Sequence, residues 1–84
     1  MWSQRAQADL AGIRDYIGQF APLAAQRFAA RLIMAADSLA DHPLRGRTLG
    51  NRRRELVAIP PYLIRYRVTD STIEILTIRH GAQR

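Results

Sequence analysis

Cysteine and lysine are both absent from this 84-residue chain, and histidine occurs only as His42 and His80. Without cysteine there is no disulfide framework and no thiolate metal site, a composition that suits a reducing compartment. The two histidines stand in different contexts with no ligand spacing, so neither a metal nor a cofactor is expected. No apolar run approaches the roughly 20 residues of a membrane helix. Arg5 and Asp9 interrupt the region where a signal peptide needs apolar continuity. The expectation is a cytoplasmic protein with no membrane partner. Also missing are a glycine-rich phosphate loop and a paired-carboxylate motif.

What is present favours a folded protein. Hydrophobic residues make up 48% of the chain, too many for intrinsic disorder. The length allows one domain, residues 1–84, around one modest core. The formal net charge is +6, and all 13 basic residues are arginine. Guanidinium forks suit phosphate, carboxylate and aromatic faces, so an anionic partner fits: nucleic acid or an acidic protein segment. A GC-rich genome, which exchanges lysine for arginine, accounts for the same composition without any partner.

From Gln4 to Phe20 the apolar spacing is helical, with Leu10, Ile13, Ile17 and Phe20 in one stripe and Ala6 in register. Ser3 is the natural N-cap, and Asp9 is an acidic residue near that end. Gly18 and Ala21 loosen the far end, and Pro22 suits the first turn of a second helix running to about Ala40. Phe28, Leu32, Ala35 and Leu39 form its apolar stripe, flanked by Arg27 and Arg31. Many alanines permit close approach, and the short connection predicts an antiparallel hairpin. Pro43, Gly46 and Gly50 exclude further helix. Three strands are then predicted: "ELVAI", ended by Pro60 and Pro61; "YLIRYRV"; and "TIEILTIRH", the last two joined by a tight turn around Asp70. Helices followed by strands give an α+β domain with the helices on one face of a small antiparallel sheet.

Alternation in the middle strand puts Tyr62, Ile64, Tyr66 and Val68 on one face and Leu63, Arg65 and Arg67 on the other. Arg65 and Arg67 are costly to bury unpaired; they must reach solvent, a carboxylate such as Glu55 or Glu74, or a partner. Tyr62 and Tyr66 could stack bases, but their alternation with aliphatic residues favours packing. Arg52, Arg53 and Arg54 could touch phosphate or form a solvated loop. His42 fits a helix cap. His80, between Arg79 and Gly81, could move a proton near neutral pH, yet no partner constellation stands beside it in the sequence.

In order along the chain, "WSQRAQADLAGIRDYI", "AAQRFAARL", "LADHPLRGR", "RELV", "YLIRYRV" and "IEILTIRHGAQR" resemble the blocks of the RelE/ParE toxin superfamily. Leu39, Pro43, Gly46 and Arg47 match its helix-to-loop motif. Tyr62, Tyr66, Arg67 and Val68 match its central strand, and His80–Gly81 its "HG" ending. The resemblance implies a helical hairpin on a small antiparallel sheet, with the family's first strand truncated before Trp2. It also implies a toxin of a bacterial type II toxin–antitoxin pair. In the RNA-cleaving RelE branch, basic residues correspond to Arg54, Leu56, Leu63 and a position near Gly81; only Arg54 keeps the charge, and Leu63 cannot stabilise a phosphorane. The branch implied is therefore ParE, whose members poison DNA gyrase by binding. A cognate antitoxin, a ParD-like ribbon-helix-helix protein, is the implied partner, and direct nucleic-acid binding is not expected. No catalytic residue is expected; the alternative, a ribosome-dependent endoribonuclease, would use His80, Arg65 and Arg67, and a third reading is a degenerate toxin that keeps only antitoxin binding. Target or partner contact is expected at Arg65, Arg67, Arg79, His80 and Arg84. Antitoxin binding is expected at Ala24, Ala35 and Ala36, where small side chains leave shallow relief.

Overall fold

Ser3 starts the first helix as its sequence predicts. Its Oγ accepts the Ala6 N–H at 3.0 Å and donates to the Leu76 carbonyl at 2.8 Å, so the cap also ties the helix to the sheet. The computed structural model describes residues 1–70 and 72–81. Helix α1 spans Gln4–Gly18 and helix α2 spans Pro22–Asp37, with Pro22 in the first turn; a single 3₁₀ turn, Ser38–Ala40, follows. Four strands complete the fold: β1 Arg47–Gly50, β2 Arg53–Ile59, β3 Tyr62–Val68 and β4 Ile73–His80. They form one antiparallel sheet in the order β1-β2-β3-β4.

Both helices lie on one face of this sheet. Ala6, Leu32, Ala36 and Leu39 meet Leu56, Ile64, Tyr66, Ile75 and Ile78 in a single core. The buried alanines Ala6, Ala25, Ala29 and Ala36 bring the helices close, as their number predicts. Beyond the "ELVAI" segment, the sheet gains β1 and the start of β2 from residues whose glycines and arginines spell loop rather than strand. Asn51 and Arg52 connect β1 to β2 with φ of 54° and 64°, the sign that a two-residue type I′ turn requires at both positions.

At the other edge, Trp2 makes a single parallel bridge to Ile75. The Met1 carbonyl accepts the Ile75 N–H at 2.8 Å, and the Ser3 N–H donates to the Ile75 carbonyl at 2.9 Å. Beside β4 the chain start therefore contributes one bridge and no named strand. Phe20 departs from its expected place in the α1 stripe. It lies past the helix end, 74% exposed, with its ring edge-on to Tyr16 at 5.6 Å. The second helix stops at Asp37 rather than near Ala40.

Candidate functional site

Strand β3 has no bulge of its own, so its side chains alternate strictly between the two sheet faces. Ile64 and Tyr66 are fully buried under the helices. Arg65 and Arg67 therefore point away from the helices, with Arg53, Glu55 and Val57 of β2 on the same outer face by register. Both expected carboxylates are used. Glu55, only 5% exposed, accepts from Arg65 Nε and from an Arg47 terminal nitrogen, each at 2.8 Å. Arg67 donates to Glu74 at 2.6 Å. The Arg65 hydrogen bond is the main cause that holds the Glu55 carboxyl below its ordinary range; Arg47 adds to it, and burial opposes both.

His80 is on the opposite face. It pairs with Tyr62 in the β3–β4 ladder, and the two rings meet edge-to-face at 5.2 Å. Tyr62 in turn packs against Phe28 of α2 at the same separation. His80 borders an open cleft of 530 Å³ with Asp9, Gly12, Tyr16 and Tyr62. The three residues of the nuclease alternative are thus not brought together: His80 faces the helices, while Arg65 and Arg67 face away and are ion-paired. Arg79 lies opposite Leu63, on the arginine face. Arg84 falls outside the described residues. Gly81 stands where the chain passes close to Pro61. Its N–H donates to the Pro61 carbonyl at 2.6 Å, and a Cβ there would come within 2.8 Å of that oxygen.

On the helical hairpin the expected antitoxin contacts separate. Ala24 is exposed and Ala35 half-buried. Ala36 is 4% exposed and belongs to the core, so the expectation that it faces a partner is corrected: it lies on the side of α2 that packs on the sheet. The apolar surface actually left open by the hairpin consists of larger side chains, with Tyr16, Phe20, Leu23 and Met34 between 62% and 74% exposed. Leu23 and Met34 are eleven residues apart, so they share the side of α2 away from the core.

Two organising residues escaped sequence reasoning. Asp9 reads in the sequence as an acidic residue near the helix start, but its carboxylate accepts from the Thr77 hydroxyl and from the Ile78 N–H at 3.0 Å. It thereby satisfies β4 beside the register shift in the β3–β4 ladder, where Leu76 has no opposite residue. Arg54 is not part of a solvated loop. It donates to the carbonyls of Leu44 at 3.3 Å and Gly46 at 2.8 Å, anchoring the segment that leads from the helices into the sheet. No local pattern announces these bonds, since the partners are 8 to 69 residues apart and those of Arg54 are on irregular backbone. His42 is exposed in the turn after α2, where its N–H donates to the Ser38 carbonyl at 3.1 Å. Among the described residues, no group of three histidine, cysteine or acidic side chains could hold a metal ion. Among the described residues, no helix is long and apolar enough to cross a membrane.

Comparison with known proteins agrees with this architecture. The family model described as "ParE toxin of type II toxin-antitoxin system, parDE" matches residues 1–84. Toxin RelE2 of Caulobacter vibrioides is 60% identical over 83 residues, covering 99% of this chain and 94% of the relative. Putative toxin Y4kP of Sinorhizobium fredii is 39% identical, covering 99% of this chain and 88% of the relative. Among solved structures, a chain of the chromosomal ParDE system from P. aeruginosa superposes with a TM-score of 0.82. Its sequence identity is 25%, with 94% of this chain and 90% of that chain covered.

Proposed function

The chain belongs to the ParE toxin family of type II toxin–antitoxin systems, and on that premise we propose that it stops growth by binding DNA gyrase rather than by cutting RNA. One observation supports this reading above others. His80 and the pair Arg65–Arg67 lie on opposite faces of the sheet, and both arginines are held by carboxylates. A ribonuclease built from them would need a proton-transfer group and phosphate-stabilising cations within reach of one scissile bond. The positions that carry basic residues in the RelE branch support the same choice: Leu56 is in the core, and Gly81 is packed on the Pro61 carbonyl.

Under this reading the toxin works as a single 84-residue binding domain in the cytoplasm, without a cofactor and without chemistry of its own. Arg65, Arg67, Arg79, His80 and Arg84 are the residues assigned to target contact. The antitoxin, a ParD-like protein, covers the hairpin around Ala24 and Ala35 and the exposed Leu23 and Met34. The protein's positive charge speeds encounter with an acidic antitoxin tail more than it sets affinity.

The test is a gyrase supercoiling assay with purified toxin, run beside translating ribosomes whose mRNA ends are mapped. Inhibited supercoiling, relieved by antitoxin, with intact mRNA is the expected result. Codon-phased cuts that disappear in His80→Ala would overturn the reading.

A further inference from the structure

Arg53 and Arg67 are directly opposite each other on the outer sheet face. Like charges at a cross-strand pair repel, and only Arg67 has a carboxylate, Glu74, to offset this. Next to Arg53 is Arg52, at the second position of the two-residue turn, with φ of 64°. Glycine is the residue such a position favours, and a long side chain there is uncommon. The conformation is held because the Arg52 carbonyl accepts the Val68 N–H at 2.9 Å. The side chains of Arg52 and Arg53 are exposed and carry no hydrogen bond or ion pair among the described residues. Together with Thr48, Arg54 and Val68 of the helix-facing side, and with Thr69 and the acidic Asp70, they line a 310 Å³ recess around the end of the sheet. The outer face as a whole carries Arg47, Arg53, Arg65, Arg67 and Arg79 against Glu55 and Glu74, and the helices pack on the other side.

We propose that this end of the outer sheet face, centred on Arg52, Arg53 and Arg67, binds the phosphodiester backbone of duplex nucleic acid. Arginine forks are side chains that position phosphates. Among the described residues this end of the face has no exposed aromatic anchor, which a protein partner would use; the exposed aromatics Tyr16 and Phe20 belong to the hairpin. Single strands require aromatic platforms for stacking, and both tyrosines of β3 face the helices instead. The family resemblance implies no direct nucleic-acid binding, whereas the sequence itself leaves Arg52, Arg53 and Arg54 open to phosphate. Packing of the tyrosines excludes base stacking and leaves backbone contact open. The proposal does not depend on gyrase as the target, so the supercoiling assay and the binding assay can fail separately.

The experiment is fluorescence anisotropy of the whole protein with short duplexes of DNA and of RNA, a single strand of the same length and polyglutamate, across a salt series. Each duplex phosphate neutralised contributes about 0.9 to the slope of log K against log salt. Arg52→Gly and Arg53→Ala are each expected to weaken duplex binding several-fold and to reduce that slope by about one. Arg31→Ala, which removes an exposed charge from α2, is expected to change neither. Arg52→Gly also relieves the turn, so its loss of binding cannot come from misfolding; a thermal melt confirms this. DNA and RNA duplexes bound alike would support a pure backbone contact, and a preference for DNA would support chromosomal DNA as the source. No duplex binding at low salt, equal weakening by Arg31→Ala, or tighter binding of the single strand overturns the proposal. Polyglutamate bound as tightly as duplex overturns it too and assigns the face to an acidic protein.

Discussion

The hydroxyl of Tyr66 stands 2.8 Å from the amide nitrogen of Gly46, twenty residues earlier in the chain. It accepts that N–H and donates to the Pro43 carbonyl, also at 2.8 Å. One side chain of the central strand therefore satisfies both a donor and an acceptor of the segment that enters the sheet. Tyr66→Phe leaves the buried Gly46 N–H without its partner, and a loss of about 1–3 kcal/mol is expected from a denaturant melt. Gly46→Ala acts on the same joint by crowding, because its Cβ would lie 2.8 Å from both the Glu55 carbonyl oxygen and the Tyr66 hydroxyl. If Gly46→Ala melts like the parent, the close approach is not what holds this loop.

Glu55 makes stability depend on acid. Its carboxyl is held below the ordinary value of 4.5, so its ion pairs contribute fully above that pH and are lost as pH falls through the lower folded-state value. Glu55→Gln is expected to cost about 1–2 kcal/mol at pH 7, in the lower part of the range because Arg47 and Arg65 are solvent-screened. The variant and the parent should converge at the acid end of a pH series of melts. A constant difference down to the lowest pH would assign the effect to packing rather than to charge.

The two sides of α2 should separate binding from folding. Leu23→Asp places a charge on the exposed side and is expected to weaken the antitoxin complex by about 1–2 kcal/mol, roughly tenfold, with an unchanged melting temperature. Ala36→Leu overpacks the core side and is expected to cost about 1–3 kcal/mol of stability. Isothermal titration with the cognate antitoxin, paired with thermal melts, checks both, and an antitoxin affinity unaffected by Leu23→Asp removes that side from the interface.

At the end of β4 the roles of His80 and Gly81 differ. His80→Gln keeps hydrogen-bonding capacity while removing the imidazole, and it is expected to retain most toxicity in a growth assay. Gly81→Ala forces a Cβ against the Pro61 carbonyl and is expected to displace the chain beyond β4 and reduce toxicity. Loss of toxicity in a folded, antitoxin-binding His80→Gln would return the histidine to a proton-transfer role.

Much of this molecule was determined by local sequence. Ser3 and Pro22 begin the helices, the alanines allow them to pack closely, and strict alternation assigns Ile64 and Tyr66 to the core and Arg65 and Arg67 to the other face. These are short-range patterns, fixed by helical and strand periods that a reader can count. Pairing of Arg65 and Arg67 with Glu55 and Glu74 was also foreseeable, because a charged pair on a sheet face must find partners. Tertiary structure decided the rest. Whether Arg54 is loop or anchor depends on carbonyls of irregular backbone at Leu44 and Gly46. Asp9 serves a strand 69 residues away because β4 bulges there. Ala36 and Ala24, chemically identical, differ only in which side of the helix meets the sheet. The meeting of Arg53 with Arg67, and the separation of His80 from both strand arginines, come from strand register, which is set by long-range packing and turn geometry rather than by any residue's own preference.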